Sequence, residues 1–249
     1  MEITERAAAY RKKFFGAESF FSDADPEFEE RFENFAFDEV VRHGKMDDGT
    51  RFMAILAALI GCQGLHAFGA IMPAALGAGL TPVQIKEIIY QSADYCGMGR
   101  VYPFIESANR ILAQRGIELP LPGQANTTAA DRLSKGARAQ ADIFGEGMLE
   151  FYSSGPEESR HINRWLAENC FGDYYTRGGL DLRERELVTF CFLLAQGGCE
   201  AQLTAHAAGN MRLGNDRLFL IDVISQCLPY VGYPRSLNAL RCVNDAAAK

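Results

Sequence analysis

No apolar run in this sequence reaches the roughly 18 residues that a membrane-spanning helix requires, so no crossing of a bilayer is expected. Long basic runs are missing too. With 25 Lys and Arg against 32 Asp and Glu, the net charge is −7, which argues against a nucleic-acid surface. Sustained period-two alternation, the mark of half-buried strands, does not occur. The opening stretch MEITERAAAYRKKFFG scatters charge through its length and lacks the apolar centre of a secretory leader. There is no GxxxxGK(S/T) phosphate loop, no dinucleotide loop in a βαβ setting, no GxSxG elbow and no metal-type clustering of His and Cys. The seven cysteines are an odd number without framework spacing, and most lie in apolar helical stretches. Reduced, buried thiols in a cytoplasmic protein are the expectation.

What is present is a segment written twice. GLTPVQIKEIIYQSADYCGMGRVYP lies over GNDRLFLIDVISQCLPYVGYPRSLN at an offset of 135, pairing Gly79 with Gly214, Gln91 with Gln226, Tyr95 with Tyr230, Gly97 with Gly232 and Arg100 with Arg235. Upstream, an offset of 134 pairs Phe37 with Phe171, Gly44 with Gly178, Asp47 with Asp181 and Arg51 with Arg185. A repeat of this length sets the architecture before any local reading. At 249 residues and 48% apolar, the chain can supply a core to each copy.

The local pattern is helical. Residues 51–61 and 186–196 are almost wholly apolar and suit helices buried on every side. Thr81, Pro82 and Gln84 predict a capped helix start, and Asp181 with Glu184 predicts a second capping box. Asn215 or Asp216 caps a third helix, whose apolar face comprises Leu218, Ile221, Val223, Ile224, Cys227 and Leu228. Leu119 to Asp131 mixes Pro, Gly, Asn and Thr without period and reads as a connector. The expected organisation is all-α: a first repeat over 1–118, a linker over 119–131 and a second repeat over 132–249.

Polar residues able to do chemistry concentrate in FGDYYTRGGLDLRERELVTF (171–190), GGCEAQLTAHAAGN (197–210) and LPYVGYPRSLNAL (228–240). Gly172, Asp173, Tyr175, Arg177, Gly179, Leu180, Asp181 and Arg185 are followed in order by Glu200, Leu203 and His206, then by Tyr230, Gly232 and Pro234. From about Lys135 onward, this succession resembles the carboxymuconolactone decarboxylase family, and the first half looks like a diverged copy. The resemblance implies an AhpD-like all-α fold, assembly as a homo-oligomer (here a trimer of two-repeat chains) and decarboxylation of a small carboxylated lactone without a cofactor. In such a reaction the electrons released by CO2 spread into the lactone carbonyl. The site needs a cation for the carboxylates, donors for the developing oxyanion and an acid to return a proton to carbon. His206 is the candidate acid, with Glu186 or Glu200 setting its tautomer. Arg177 and Arg185 are the candidate carboxylate anchors, and Gln202 and Glu200 complete the substrate-binding set.

Each assignment has a plainer reading. His206 shares a helix stripe with Leu203, Ala207 and Asn210, where a histidine is often a satisfied core residue. Glu186 sits in an apolar helix and would need a partner, such as Arg177 or Arg183. Arg177 and Arg185 can equally pin the turns at Asp173 and Asp181. Tyr230, Gly232 and Arg235 recur in both copies and so serve the shared fold. Comparison of the copies sets His206 against Ile71, Cys199 against Gly64, Gln202 against Ala67, and Glu186 against Phe52 or Arg51. The first copy has therefore lost the polar set and reads as a scaffold. It retains Cys62 and His66, one helical turn apart, as a possible reactive pair.

A second enzyme class fits part of the pattern. The related alkyl hydroperoxidase D proteins use a glutamate, a CxxC pair and a histidine. Here Cys199 and His206 match, but Gln202 stands at the second thiol's position, leaving a single-cysteine peroxidase as the redox alternative. A non-catalytic module binding a small ligand is the third reading.

Overall fold

The computed structural model describes residues 2–16 and 24–248, and among these no strand occurs. The first repeat supplies α1 (Glu5–Phe15), α2 (Pro26–Glu33), α3 (Val40–His43), α4 (Asp48–Gly61), α5 (Leu65–Gly77), α6 (Pro82–Cys96) and α7 (Met98–Gln114). The second supplies α8 (Arg132–Phe144), α9 (Arg160–Trp165), α10 (Leu182–Gln196), α11 (Glu200–Arg212), α12 (Arg217–Val231) and α13 (Tyr233–Ala247). Helix bounds reproduce the repeat almost to the residue. The ranges of α5 and α11, and those of α6 and α12, differ by 135 at both ends, and α4 and α10 begin 134 apart. A π-helical stretch also recurs, at Asn34–Glu39 and at Leu166–Tyr175. The offset grows by one because α10 runs one residue longer than α4. That placement resolves the ambiguous pairing: Glu186 stands opposite Phe52.

The two apolar helices, α4 and α10, cross at the centre. Residues 51–61 and 185–195 are all buried. The crossing is so close that a Cβ on Gly61 would lie 2.7 Å from Phe192 O and 2.8 Å from the Cβ of Ala195. Gly61 and Ala195 are repeat equivalents, so the pseudo-twofold axis passes between them. One apolar cluster draws on both copies, with Leu56, Phe68 and Ile88 from the first and Phe190, Phe192 and Val223 from the second. Helix α6 packs on both α4 and α10, and so does α12.

Polar residues shared by the copies hold this crossing together by exchange. Arg51 Nε donates to Gln226 Oε1 at 2.9 Å, and Arg185 Nη1 donates to Gln91 Oε1 at 2.8 Å. Each arginine also ties down the loop before its own helix: Arg51 donates to Met46 O, and Arg185 to the carbonyls of Arg177 and Gly178. A charge-assisted bond between buried groups is strong because neither partner has water to fall back on.

Local signals appear largely where the sequence puts them. Thr81 with Gln84, and Asp181 with Glu184, form complete capping boxes. Asp216 caps α12, while buried Asn215 bridges Arg183 and Asn210 instead. Gly97 and Gly232, with φ of 81° and 82°, turn the chain into α7 and α13, a left-handed conformation suited to glycine. Two expectations are corrected. Leu218 is 68% exposed, and Leu220 takes the buried place on α12. Cys62 ends α4 while His66 belongs to α5, so the two are not successive turns of one helix; His66 is exposed and the Cys62 thiol points to Leu59 O.

Candidate active site

Glu186 lies on the inward face of α10 with its carboxylate fully buried. A carboxylate there is costly without partners. It has two. His206 on α11 brings Nδ1 to 2.9 Å from Oε2 and 3.1 Å from Oε1, and the Tyr175 hydroxyl donates to Oε1 at 2.9 Å. Tyr175 comes from the end of the π-helical stretch, whose wider turn precedes the loop into α10. Its hydroxyl is also 2.7 Å from Thr189 Oγ1 and 2.7 Å from the Tyr95 hydroxyl. Since its one proton goes to Glu186, those two hydroxyls donate inward to it. Burial pushes the Tyr95 and Tyr175 phenols well above their ordinary value, which keeps both as donors. Tyr95 belongs to α6, so the first repeat completes the second repeat's polar cluster.

The imidazole is clamped. Asn210 Nδ2 donates to Glu186 O at 2.8 Å and to His206 O at 2.9 Å, locking α11 onto α10. Tyr95 and Phe144 meet the ring edge-on, with centroids 5.6 and 5.2 Å away. The side chain keeps 9% of its surface, and Nε2, which makes no hydrogen bond among the described residues, is not one of the sealed-off polar atoms. Nδ1 is therefore spent on the carboxylate, and Nε2 is the ring nitrogen left without a partner among the described residues.

The equivalent place in the first repeat is hydrocarbon. Phe52 replaces Glu186, fully buried Ile71 replaces His206, and Phe14 packs edge-on against Phe52 at 5.0 Å. The profile of the carboxymuconolactone decarboxylase family matches residues 26–105 and again residues 161–245, once in each repeat. The chain belongs to the carboxymuconolactone decarboxylase family. No curated protein matches it.

In this member of the family, the other candidate residues are placed as follows. Arg177 and Arg185 converge on Glu87 of α6: Arg177 binds it through Nε and Nη2 at 2.8–3.1 Å, and Arg185 through Nη2 at 3.1 Å. Neither guanidinium bonds Glu186 or His206, and neither pins Asp173 or Asp181. Arg185 is wholly buried, so it fastens the repeats together. Glu87 escapes a sequence reading because its partners lie about ninety positions away, in the other copy. Gln91 and Thr189 escape for the same reason; Gln91 Nε2 donates to Thr189 Oγ1 at 2.8 Å and joins the Arg185 cluster to Tyr175. Cys199 precedes α11, where its thiol faces Leu193 O at 3.4 Å and receives Gln196 Nε2 at 3.6 Å. It lies seven positions before His206, about 10 Å along the helix. Burial raises its thiol pKa. Gln202 is exposed, and Glu200 is partly buried near Asn238. The geometry unites Glu186 with His206 and leaves the remaining candidates outside that cluster.

Proposed function

We propose that the second repeat catalyses cofactor-free decarboxylation or proton transfer on a small carboxylated lactone, with His206 as the acid–base group. One observation carries this reading: a fully buried carboxylate holds Nδ1 while Nε2 is left without a hydrogen-bond partner among the described residues. Glu186 fixes the tautomer with the proton on Nδ1, so Nε2 is free to take up a proton and to give it. Tyr175 supplies a second hydrogen bond to Glu186 and stops the carboxylate from turning away. In the reaction, the bond from carbon to the leaving carboxylate breaks and CO2 departs. The electron pair moves through the double bond into the lactone carbonyl, and Nε2–H returns a proton to carbon.

Thiol chemistry is less well supported. A peroxidase cysteine works as a thiolate, whereas burial raises the Cys199 thiol, and Gln202 occupies the place of a resolving partner. We also propose a cytoplasmic homo-oligomer, a trimer of two-repeat chains. Seven free thiols fit a reducing compartment. Large exposed apolar side chains recur at equivalent positions, Met98 with Tyr233 and Tyr102 with Leu237, as expected of a face that buries both repeats alike.

The test is release of CO2 from a γ-carboxylactone. His206→Gln should lower the rate by about 10² or more, the usual weight of a general acid, and Cys199→Ser should leave it within about twofold. The opposite pattern, with hydroperoxide turnover abolished by Cys199→Ser alone, would overturn the proposal in favour of a peroxidase.

A further inference from the structure

Away from the Glu186–His206 pair, a cavity of about 370 Å³ lies between α6, α7 and the connecting stretch at residues 119–124. Lys86, Glu87 and Tyr90 of α6, Asn109 of α7 and Arg177 line it, and Leu119 and Leu121 roof it. The connector is fastened over the cavity, because Gly178 N donates to Gln124 O at 2.9 Å and Asn126 Nδ2 donates to Thr176 O at 2.8 Å.

The charges around it do not balance. Lys86 is only 6% exposed, its ammonium donates to Asn109 Oδ1 at 2.7 Å, and among the described residues no carboxylate pairs with it. Arg177 and Arg185 share the single carboxylate of Glu87. Three cations thus stand against one anion, an excess of two positive charges (3 − 1) in a mostly buried setting. The Lys86 ammonium and the Arg177 guanidinium converge on one ring, lying 5.0 and 5.5 Å from the centroid of Tyr90. Burial holds the Lys86 pKa below its ordinary value, a penalty that an incoming anion would relieve. The roof contributes hydrocarbon, since Leu119 and Leu121 pack against the main apolar cluster.

We propose that this cavity is a binding site for a small organic carboxylate, with its anionic head at Lys86 and Arg177 and its apolar body beneath the connector. The site is separate from the imidazole, because none of its lining residues bonds Glu186 or His206. An apolar roof over an excess of positive charge selects against both bare inorganic anions and neutral compounds.

Calorimetric titration of the whole chain with benzoate tests this, with benzyl alcohol and inorganic phosphate as comparison probes. Benzoate should bind, and each comparison probe should bind at least about tenfold more weakly. Lys86→Met should weaken benzoate at least about tenfold. Asn109→Asp should do the same while keeping the lysine, because it gives the ammonium an internal counter-ion. His206→Gln should leave benzoate binding unchanged. Absence of benzoate binding, indifference to both Lys86→Met and Asn109→Asp, or loss in His206→Gln alone would overturn the proposal. So would equal binding of phosphate or of benzyl alcohol.

Discussion

Glu186 and His206 illustrate what a single buried charge demands of its surroundings. The carboxylate sits in a helix otherwise packed in hydrocarbon, and it is tolerable there only because an imidazole and a phenol are aimed at it. Those two partners come from two different elements, α11 and the π-helical stretch, and Tyr95, which holds the phenol, comes from the other repeat. A second carboxylate nearby lacks such help. Asp94 stands beside Cys170 and faces Asp173, one of its oxygens is buried without a partner, and burial raises its pKa to about 7. The folded state therefore holds a proton that the unfolded chain releases from about pH 4 upward. Asp94 thus makes stability fall as pH rises through the window from about 4 to about 7. Asp94→Asn should flatten that trend: the drop in melting temperature between about pH 5 and about pH 8 should be smaller than in the wild type. An equal or steeper drop would count against this account. The candidacy of Glu186 and His206 was legible from internal comparison, because the first copy carries Phe52 and Ile71 instead. Their mutual contact, 20 positions apart, was one of two options for the imidazole's partner, and the role of Tyr175 could not be read without the fold.

Helices show the opposite balance, with much more legible in advance. Caps, the fully apolar helices α4 and α10 and the non-helical connector follow from side-chain chemistry within a few residues, and such local rules carry over directly into structure. What was not legible is how the elements meet. The α4–α10 crossing depends on Gly61, whose missing Cβ lets two backbones approach. Gly61→Ala should therefore lower stability by about 1–3 kcal/mol through overpacking, despite alanine's better helix propensity. A gain in stability on chemical unfolding would refute the close crossing. Helix α6 is fastened to the second repeat by Glu87, which is 98 positions from Arg185. Glu87→Gln strands two guanidiniums, one of them entirely buried, and should cost about 3 kcal/mol or more in the same measurement. Leu218 shows where pattern reading fails: its spacing suits the buried face of α12, yet the helix is rotated so that Leu220 enters the core.

At the scale of the molecule, the two copies share one interior, and the surface they present outward repeats as well. If the paired apolar positions form the contacts of the proposed assembly, the double substitution Tyr102→Glu and Leu237→Glu should yield a smaller species by sedimentation, with helix content preserved. An unchanged sedimentation coefficient would remove that face from the assembly. Helices α6 and α12 occupy matching places across the axis but carry different duties. Tyr95 reaches the hydroxyl of Tyr175, while its counterpart Tyr230 meets Phe32 edge-on. In a dimer of identical chains, one codon would have to satisfy both environments, and every change would be made twice. Fusion into one polypeptide gives each tyrosine an independent genetic address. Selection can then refine the surroundings of the imidazole without disturbing the aromatic packing of the other lobe.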